Sequence, residues 1–141
     1  MNLKRQEGGF SLIELLIVVA IIGIIATIAV PQLLDAIDRG RQRRTMADMR
    51  NIATANGTYR VDLGTYPTAL ANLQPTYMQV TPAADGWGTA WTYAGGVTYT
   101  LTSNGSDGAT GPAPPSPWIN DPYTSDLILT NGQFTQAPTG Q

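Results

Sequence analysis

The 141 residues contain no histidine and no cysteine, so the commonest general base, the commonest transition-metal ligand and any thiol nucleophile are missing at once. Carboxylates, guanidinium groups, amides and hydroxyls carry most of the chemistry that is left. They fall into three groupings. Glu14 is the only ionisable side chain between Phe10 and Val30. Arg39, Arg41, Arg43 and Arg44 form a basic cluster with Asp35, Asp38 and Asp48 at helical spacing around it. Ser103-Asn104-Gly105-Ser106-Asp107-Gly108-Ala109-Thr110-Gly111 is dense in oxygens and glycines, the composition of a loop that can turn carbonyls inward toward a hard cation.

The surroundings of Glu14 are the most informative. At ~1.5 Å per residue, a helix over Phe10 to Val30 spans ~31 Å, a membrane-crossing length. A carboxylate near one end of such a helix costs roughly 2.5 to 3.5 kcal/mol on insertion scales, so a partner should neutralise it in the working state. Before this run lies Met1 to Gly9, with Lys4, Arg5 and Glu7 and a Gly8-Gly9 ending. That segment is too short and too polar to be a secretory signal cut after its own apolar run.

A short charged leader ending in Gly, then Phe10-Ser11-Leu12-Ile13-Glu14 and an apolar helix, resembles a class III (prepilin) signal. The resemblance implies cleavage between Gly9 and Phe10 by prepilin peptidase on the cytoplasmic side and N-methylation of the Phe10 amine. It also implies an assembly role for Glu14, whose carboxylate would meet the terminal amine of a neighbouring subunit. Two charges that are each expensive in hydrocarbon become tolerable when paired, so assembly would relieve a cost that the monomer carries. The competing reading is an ordinary signal anchor whose Glu14 snorkels to the interface. Charge counting, with Lys4 and Arg5 before the run and four arginines soon after it, favours the reverse orientation. The leader motif outweighs it and places the N-terminus in the cytoplasm and the C-terminal head in the periplasm, with one pass through a bacterial inner membrane.

Past Pro31, which can kink a helix, Leu33, Leu34 and Ile37, then Met46, Met49, Ile52 and Ala53, keep spacings of three and four. This predicts a helix to about Leu63, with Gly64 as its C′ residue. The organisation that follows is a leader over 1–9, a long helix over 10–63 (10–30 transmembrane, 31–63 amphipathic) and a small head over 64–141. From Gly64 onward the periodicity turns to alternation. Tyr66-Pro67-Thr68 reads as a turn into a short helix over Ala69 to Leu73, ended by Pro75. Asp85-Gly86-Trp87-Gly88 reads as a loop anchored by its tryptophan. Trp91 to Ala94 and Val97 to Leu101 read as a hairpin across a two-residue Gly95-Gly96 turn, with Val97, Tyr99 and Leu101 on the face toward the helix. Asp126 to Thr130 and Gln133-Phe134 read as a strand pair across Asn131-Gly132. The expected class is α+β, a long N-terminal helix packed against a small antiparallel sheet, without a disulfide to staple it.

Tyr66-Pro67-Thr68, Asp85-Gly86-Trp87-Gly88 and Ser103 to Gly111, in that order, resemble the major pseudopilin of type II secretion systems within the type IV pilin-like family. The resemblance implies one bound calcium. Asp107 matches a side-chain ligand, Asn104 falls where the family offers a main-chain carbonyl, and Asp121 or Asp126 would supply a second acidic loop. The chain departs from the family over 112–125, which is proline-rich, and the family's adjacent ligand pair has no clear counterpart. The competing reading is a solvated Asp/Gly turn in which Asp107 caps backbone amides.

The expected function is therefore structural: a subunit of a helical filament, with copies of itself, prepilin peptidase, an inner-membrane assembly platform, minor pilin-like subunits and, before assembly, membrane lipid as partners. A type IV pilus subunit for adhesion or motility shares the helix and the cleavage signal, which would put the filament at the cell surface rather than in the periplasm. An enzyme is disfavoured by the lack of a serine-centred nucleophile motif or a glycine-rich phosphate loop. The arginine cluster reads as a solvated face with local pairs, Asp35 to Arg39 and Asp38 to Arg41, rather than as a nucleic-acid site. No Lys or Arg follows Arg60, so a basic belt and an acidic head are set up for complementary contacts between stacked subunits.

Overall fold

A computed structural model describes residues 9–111 and 123–137. The chain divides into two compact units, residues 1–37 and 38–141. The fold is α+β. Among the described residues its elements are one helix, α1 (Leu12–Leu63), a 3-10 turn (Leu70–Leu73) and four strands, β1 (Thr92–Ala94), β2 (Thr100–Ser103), β3 (Leu127–Thr130) and β4 (Gln133–Gln136).

In the first unit, α1 begins with the glutamate half of a capping box. Ser11 accepts the first helical bond from the Leu15 N–H at 3.2 Å, and Glu14 Oε2 reaches back to accept the Ser11 backbone N–H at 3.3 Å. Helix then continues unbroken through Pro31, whose missing N–H removes one donor from the ladder. Every side chain from Phe10 to Leu34 is exposed, and this stretch makes α1 long and apolar enough to cross a membrane.

In the second unit, α1 buries a stripe with spacings of three and four: Gln42, Thr45, Met49, Ile52, Ala55 and Asn56. Met49 and Ile52 supply its hydrophobic centre, with Met46 and Ala53 packed at its margin. The polar members of the stripe are the ones the apolar periodicity left out, and two of them, Thr45 and Asn56, occupy docking points. Thr45 Oγ1 donates to Arg41 O at 2.9 Å and accepts the Gly86 N–H at 2.9 Å. Asn56 Oδ1 accepts the Tyr93 hydroxyl at 3.0 Å. Ion pairs along the helix surface include Arg41 to Asp38 at 3.3 Å and Arg44 to Asp48 at 3.8 Å. Helix ends where Gly64, at φ +77°, donates its N–H to Arg60 O at 2.8 Å in the left-handed cap that glycine adopts without strain.

The sheet is an antiparallel meander in chain order, β1-β2-β3-β4. Leu101 pairs with Leu129 and Ser103 with Leu127, so one face of the central strands buries Leu101, Leu127 and Leu129 against Met49, Ile52, Ala55, Tyr66, Leu73 and Tyr99. Each large apolar side chain so buried contributes about 1.5 to 3 kcal/mol. Asn131-Gly132 closes β3 to β4 with φ of +49° and +88°, the geometry of a type I′ turn. Asn131 also fastens Tyr99, accepting its N–H on Oδ1 at 3.0 Å and donating its own N–H to Tyr99 O at 3.1 Å.

Two local expectations differ. The first hairpin does not turn at Gly95-Gly96: Ala94 pairs with Thr100, which leaves residues 95–99 as a loop. Gly96 O instead accepts the Tyr66 N–H at 2.9 Å, and Gly95 packs so closely on Pro67 O that no side chain fits there. Val97 stands on this loop, 86% exposed, while Tyr99 and Leu101 are buried. A tight pair of glycines is here a contact surface for a neighbouring segment rather than a turn.

Candidate functional site

The first candidate site is the start of the apolar helix. Gly9 and Phe10 precede the helix, and the Phe10 side chain is 82% exposed. Glu14 lies one turn in, its carboxylate held beside the Ser11 N–H, at the end of the helix where the macrodipole is positive. A carboxylate in that position faces the backbone N–H groups that open the helix and have no partner within it. The Ser11-Leu12-Ile13-Glu14 pattern is a capping-box signature, a second reason for Glu14 that a charge-only reading of the residue overlooks.

A second candidate site is the pair of loops flanking β2 and β3. Residues 104–111 and 123–126 lie against one another. Ser106 donates its N–H to Tyr123 O at 2.8 Å, and Gly111 donates its N–H to Asp126 Oδ2 at 3.2 Å. Gly105, at φ +66°, sits so close to the carbonyl oxygens of Tyr123, Thr124 and Ser125 that a Cβ would lie 2.9 Å from each. Tyr123 itself holds a positive φ of 62°, unusual for a bulky residue, where the chain brings these carbonyls round. Asp107 is exposed and its Oδ1 accepts the Ala109 N–H at 3.1 Å, the amide-capping arrangement expected of an Asp/Gly turn.

Two buried oxygens in these loops, Asn104 Oδ1 and Asp126 Oδ1, have no hydrogen-bond partner among the described residues. Burial pushes the Asp126 carboxyl up from its ordinary range and the nearby Asp107 charge adds to the push, while the Gly111 N–H opposes both. Uncompensated acceptors near a second carboxylate make an oxygen-rich environment, and a donor set of this kind fits a hard cation such as calcium. Asp107, Asp126 and Asn104 therefore come from two loops that meet. Asp121 lies outside the described residues. Among the described residues no three or more His, Cys, Asp or Glu side chains group together, so carbonyl and amide oxygens would have to complete any such shell.

Asp85 escaped the sequence reading as more than part of a turn. Its buried carboxylate accepts the Trp87 N–H at 3.0 Å, the Thr89 N–H at 2.9 Å and the Ser103 hydroxyl at 2.6 Å. The loop it shapes grips α1 at two points: Gly86 lies on Arg41 O and Thr45 too tightly to bear a side chain, and Trp87 Nε1 donates to Asp38 Oδ1 at 3.4 Å. Ser103 immediately precedes the 104–111 loop, so Asp85 is where the oxygen-rich loop and the helix-gripping loop join. The signal available in the sequence was an Asp two residues before Trp87, an Asx-turn pattern.

A lone carboxylate one turn inside an exposed apolar helix, in a chain whose second unit packs the C-terminal half of that helix against a four-stranded meander, defines a pilin-like, membrane-anchored structural subunit. Residues 4–30 match the prokaryotic N-terminal methylation motif, and residues 32–121 match the family described as type II secretion system (T2SS), protein G. The chain belongs to the type II secretion system protein G family. Type II secretion system core protein G of Pseudomonas aeruginosa is 32% identical over 128 residues, covering 77% of this chain and 89% of that protein. Its counterpart of Vibrio cholerae is 34% identical over 74 residues, and the match spans 52% of this chain and 51% of that protein, about half of each. The type IV major fimbrial protein FimA of Dichelobacter nodosus is 47% identical over 60 residues, covering 43% of this chain and 38% of that protein. No solved structure matches the chain.

Proposed function

We propose that this chain is the major structural subunit of a type II secretion pseudopilus, made with a leader that is cut between Gly9 and Phe10, methylated on the Phe10 amine and polymerised from the inner membrane with its N-terminus cytoplasmic and its head periplasmic. The observation that carries the reading is Glu14, a single carboxylate in an otherwise apolar stretch, held one turn from the cleavage junction. In hydrocarbon that group calls for a cation, and the nearest that the chemistry supplies is the amine freed at Phe10 of another copy. Prepilin peptidase, an inner-membrane assembly platform and minor pilin-like subunits are the partners this reading requires. Intact-mass analysis of the chain co-expressed with prepilin peptidase tests it: the expected product begins at Phe10 and carries one methyl group, and a full-length unmethylated product would refute it.

The same reading assigns one calcium to the paired loops, with Asp107, Asn104 and Asp126 as protein ligands and Asp121 as a further candidate. The orphaned Asp126 oxygen and the meeting of the two loops support it. Calcium bound there would supply positive charge that links the loops, the role a disulfide cannot fill in a chain without cysteine. Chelation should lower the thermal midpoint of the full chain, and an unchanged midpoint would dispose of the assignment.

A type IV pilus subunit is the second reading, favoured by the 47% identity to a fimbrial protein over 60 residues. That match covers 43% of this chain, whereas the secretion-system match covers 77% of it, which is why the pseudopilus is preferred. Immunoelectron microscopy of the native host separates the two, since long surface filaments containing this chain would overturn the preference.

A further inference from the structure

The Asn104 side chain is oriented by its own hydrogen bond. Its Nδ2 donates to Gly108 O at 3.4 Å across the loop, which turns the amide so that Oδ1 faces away from Gly108. That oxygen is buried and receives no hydrogen bond among the described residues. Asp126 is in the same condition from the opposite loop. One of its oxygens takes the Gly111 N–H and the other is orphaned, on a residue only 2% exposed. Gly105, next to Asn104, is pressed against the carbonyls of residues 123–125, just before Asp126, so both orphaned oxygens belong to the same loop junction. Buried acceptors without donors are rare in folded proteins because each has given up water for nothing, and two at one junction point to a missing cation rather than to two separate defects.

Resting on the calcium reading above, we infer that Asn104 binds the ion through its side-chain Oδ1. The amide is thus a neutral ligand in its own right, additional to the main-chain carbonyl at this position, and it partly makes up for the absent adjacent pair of acidic ligands. With Asp107 and Asp126 supplying two negative charges, a neutral third side chain adds coordination without adding repulsion, as suits a doubly charged ion that takes six to eight oxygens.

Titration of calcium into the EGTA-stripped full chain in detergent, by calorimetry, together with thermal midpoints in EGTA and in calcium, tests this. Asn104→Leu keeps the main-chain carbonyl and removes the side-chain oxygen. It should weaken calcium binding about tenfold and shrink the calcium-dependent rise in midpoint, while the midpoint in EGTA changes little, because the orphaned acceptor goes together with the long bond from Nδ2 to Gly108 O. Asn104→Asp keeps an oxygen in place and should bind at least as tightly as wild type. Wild-type affinity in Asn104→Leu would overturn the inference and leave the calcium assignment standing. If Asn104→Leu unfolds in both buffers, Asn104→Asp decides: weaker binding than wild type overturns the inference. No binding by the wild-type chain would overturn the calcium assignment and this inference together.

Discussion

Removing the Asp85 carboxylate should unfold the second unit at a markedly lower temperature while leaving the apolar helix untouched. In Asp85→Ala three donors lose their acceptor: the Trp87 N–H, the Thr89 N–H and the Ser103 hydroxyl. Bonds to an ionised group contribute about 1.5 to 3 kcal/mol each, but the three do not add. Trp87 and Thr89 are only half-buried residues, whereas Ser103 is fully buried and its hydroxyl would be stranded. The net cost is therefore on the order of 3 kcal/mol, one fully stranded donor plus the partial loss of two others. At about 4 to 8 °C per kcal/mol for a unit of this size, the midpoint should fall by about 12 to 24 °C. Asp85→Asn keeps one oxygen for both amides and lets the Ser103 hydroxyl rotate to accept from the new NH₂, so it should cost only about 1 kcal/mol. Trp87 and Trp91 both lie in the affected region, so tryptophan emission during heating of the full chain in detergent reports it directly. A midpoint for Asp85→Ala within about 3 °C of wild type would refute the argument that this carboxylate organises the loop.

Other predictions follow from single observations. Gly105→Ala forces a Cβ against three carbonyl oxygens at a positive φ, so it should cost more than the roughly 1 kcal/mol of the backbone strain alone and should abolish calcium binding in the same calorimetric titration. Burial pushes the Tyr99 hydroxyl up to about 12 and raises Tyr93 as well, so the protonated form is the one the fold protects. The stability this gives is complete below pH 10, the ordinary tyrosine value, and is lost as pH rises through about 12; ultraviolet titration of phenolate should show these two rings lagging behind free tyrosine, and a single transition at the free-tyrosine value would contradict it. Glu14→Leu should insert in the membrane at least as well as wild type, because the carboxylate costs roughly 2.5 to 3.5 kcal/mol there, yet yield no filaments when it is the only copy. Filaments at wild-type yield, scored by electron microscopy, would count against pairing as the reason for the carboxylate.

Much of this architecture was legible in the residues because local rules and tertiary packing agree. Apolar spacing carried the long helix across Pro31, Gly64 sits in the left-handed conformation a helix end favours, and Asn131-Gly132 makes the turn its dipeptide specifies. Where the reading fell short, a residue served a partner distant in sequence. Thr45 and Asn56 interrupt the apolar stripe because they accept from Gly86 and Tyr93, and no periodicity encodes that. Gly95 and Gly96 resemble a tight turn but serve the segment at Tyr66 and Pro67, which leaves Val97 in solvent. At the loop pair, Asp107 and Asn104 could be named from their motif, while the approach of Tyr123 to Ser125 could not, because it depends on a bulky residue adopting a positive φ. The charge pattern changed meaning as well: of the acidic residues after Arg60, Asp85 and Asp126 are buried and serve the loops, so they are not part of an acidic outer surface.

A cryo-electron microscopy reconstruction of filaments assembled from the wild-type chain tests the account most directly. In that map the chain should start at Phe10, with the Glu14 carboxylate of one copy within hydrogen-bonding distance of the methylated amine of the next. A map in which that amine lies far from every Glu14, or in which residues 1–9 remain attached, would contradict it.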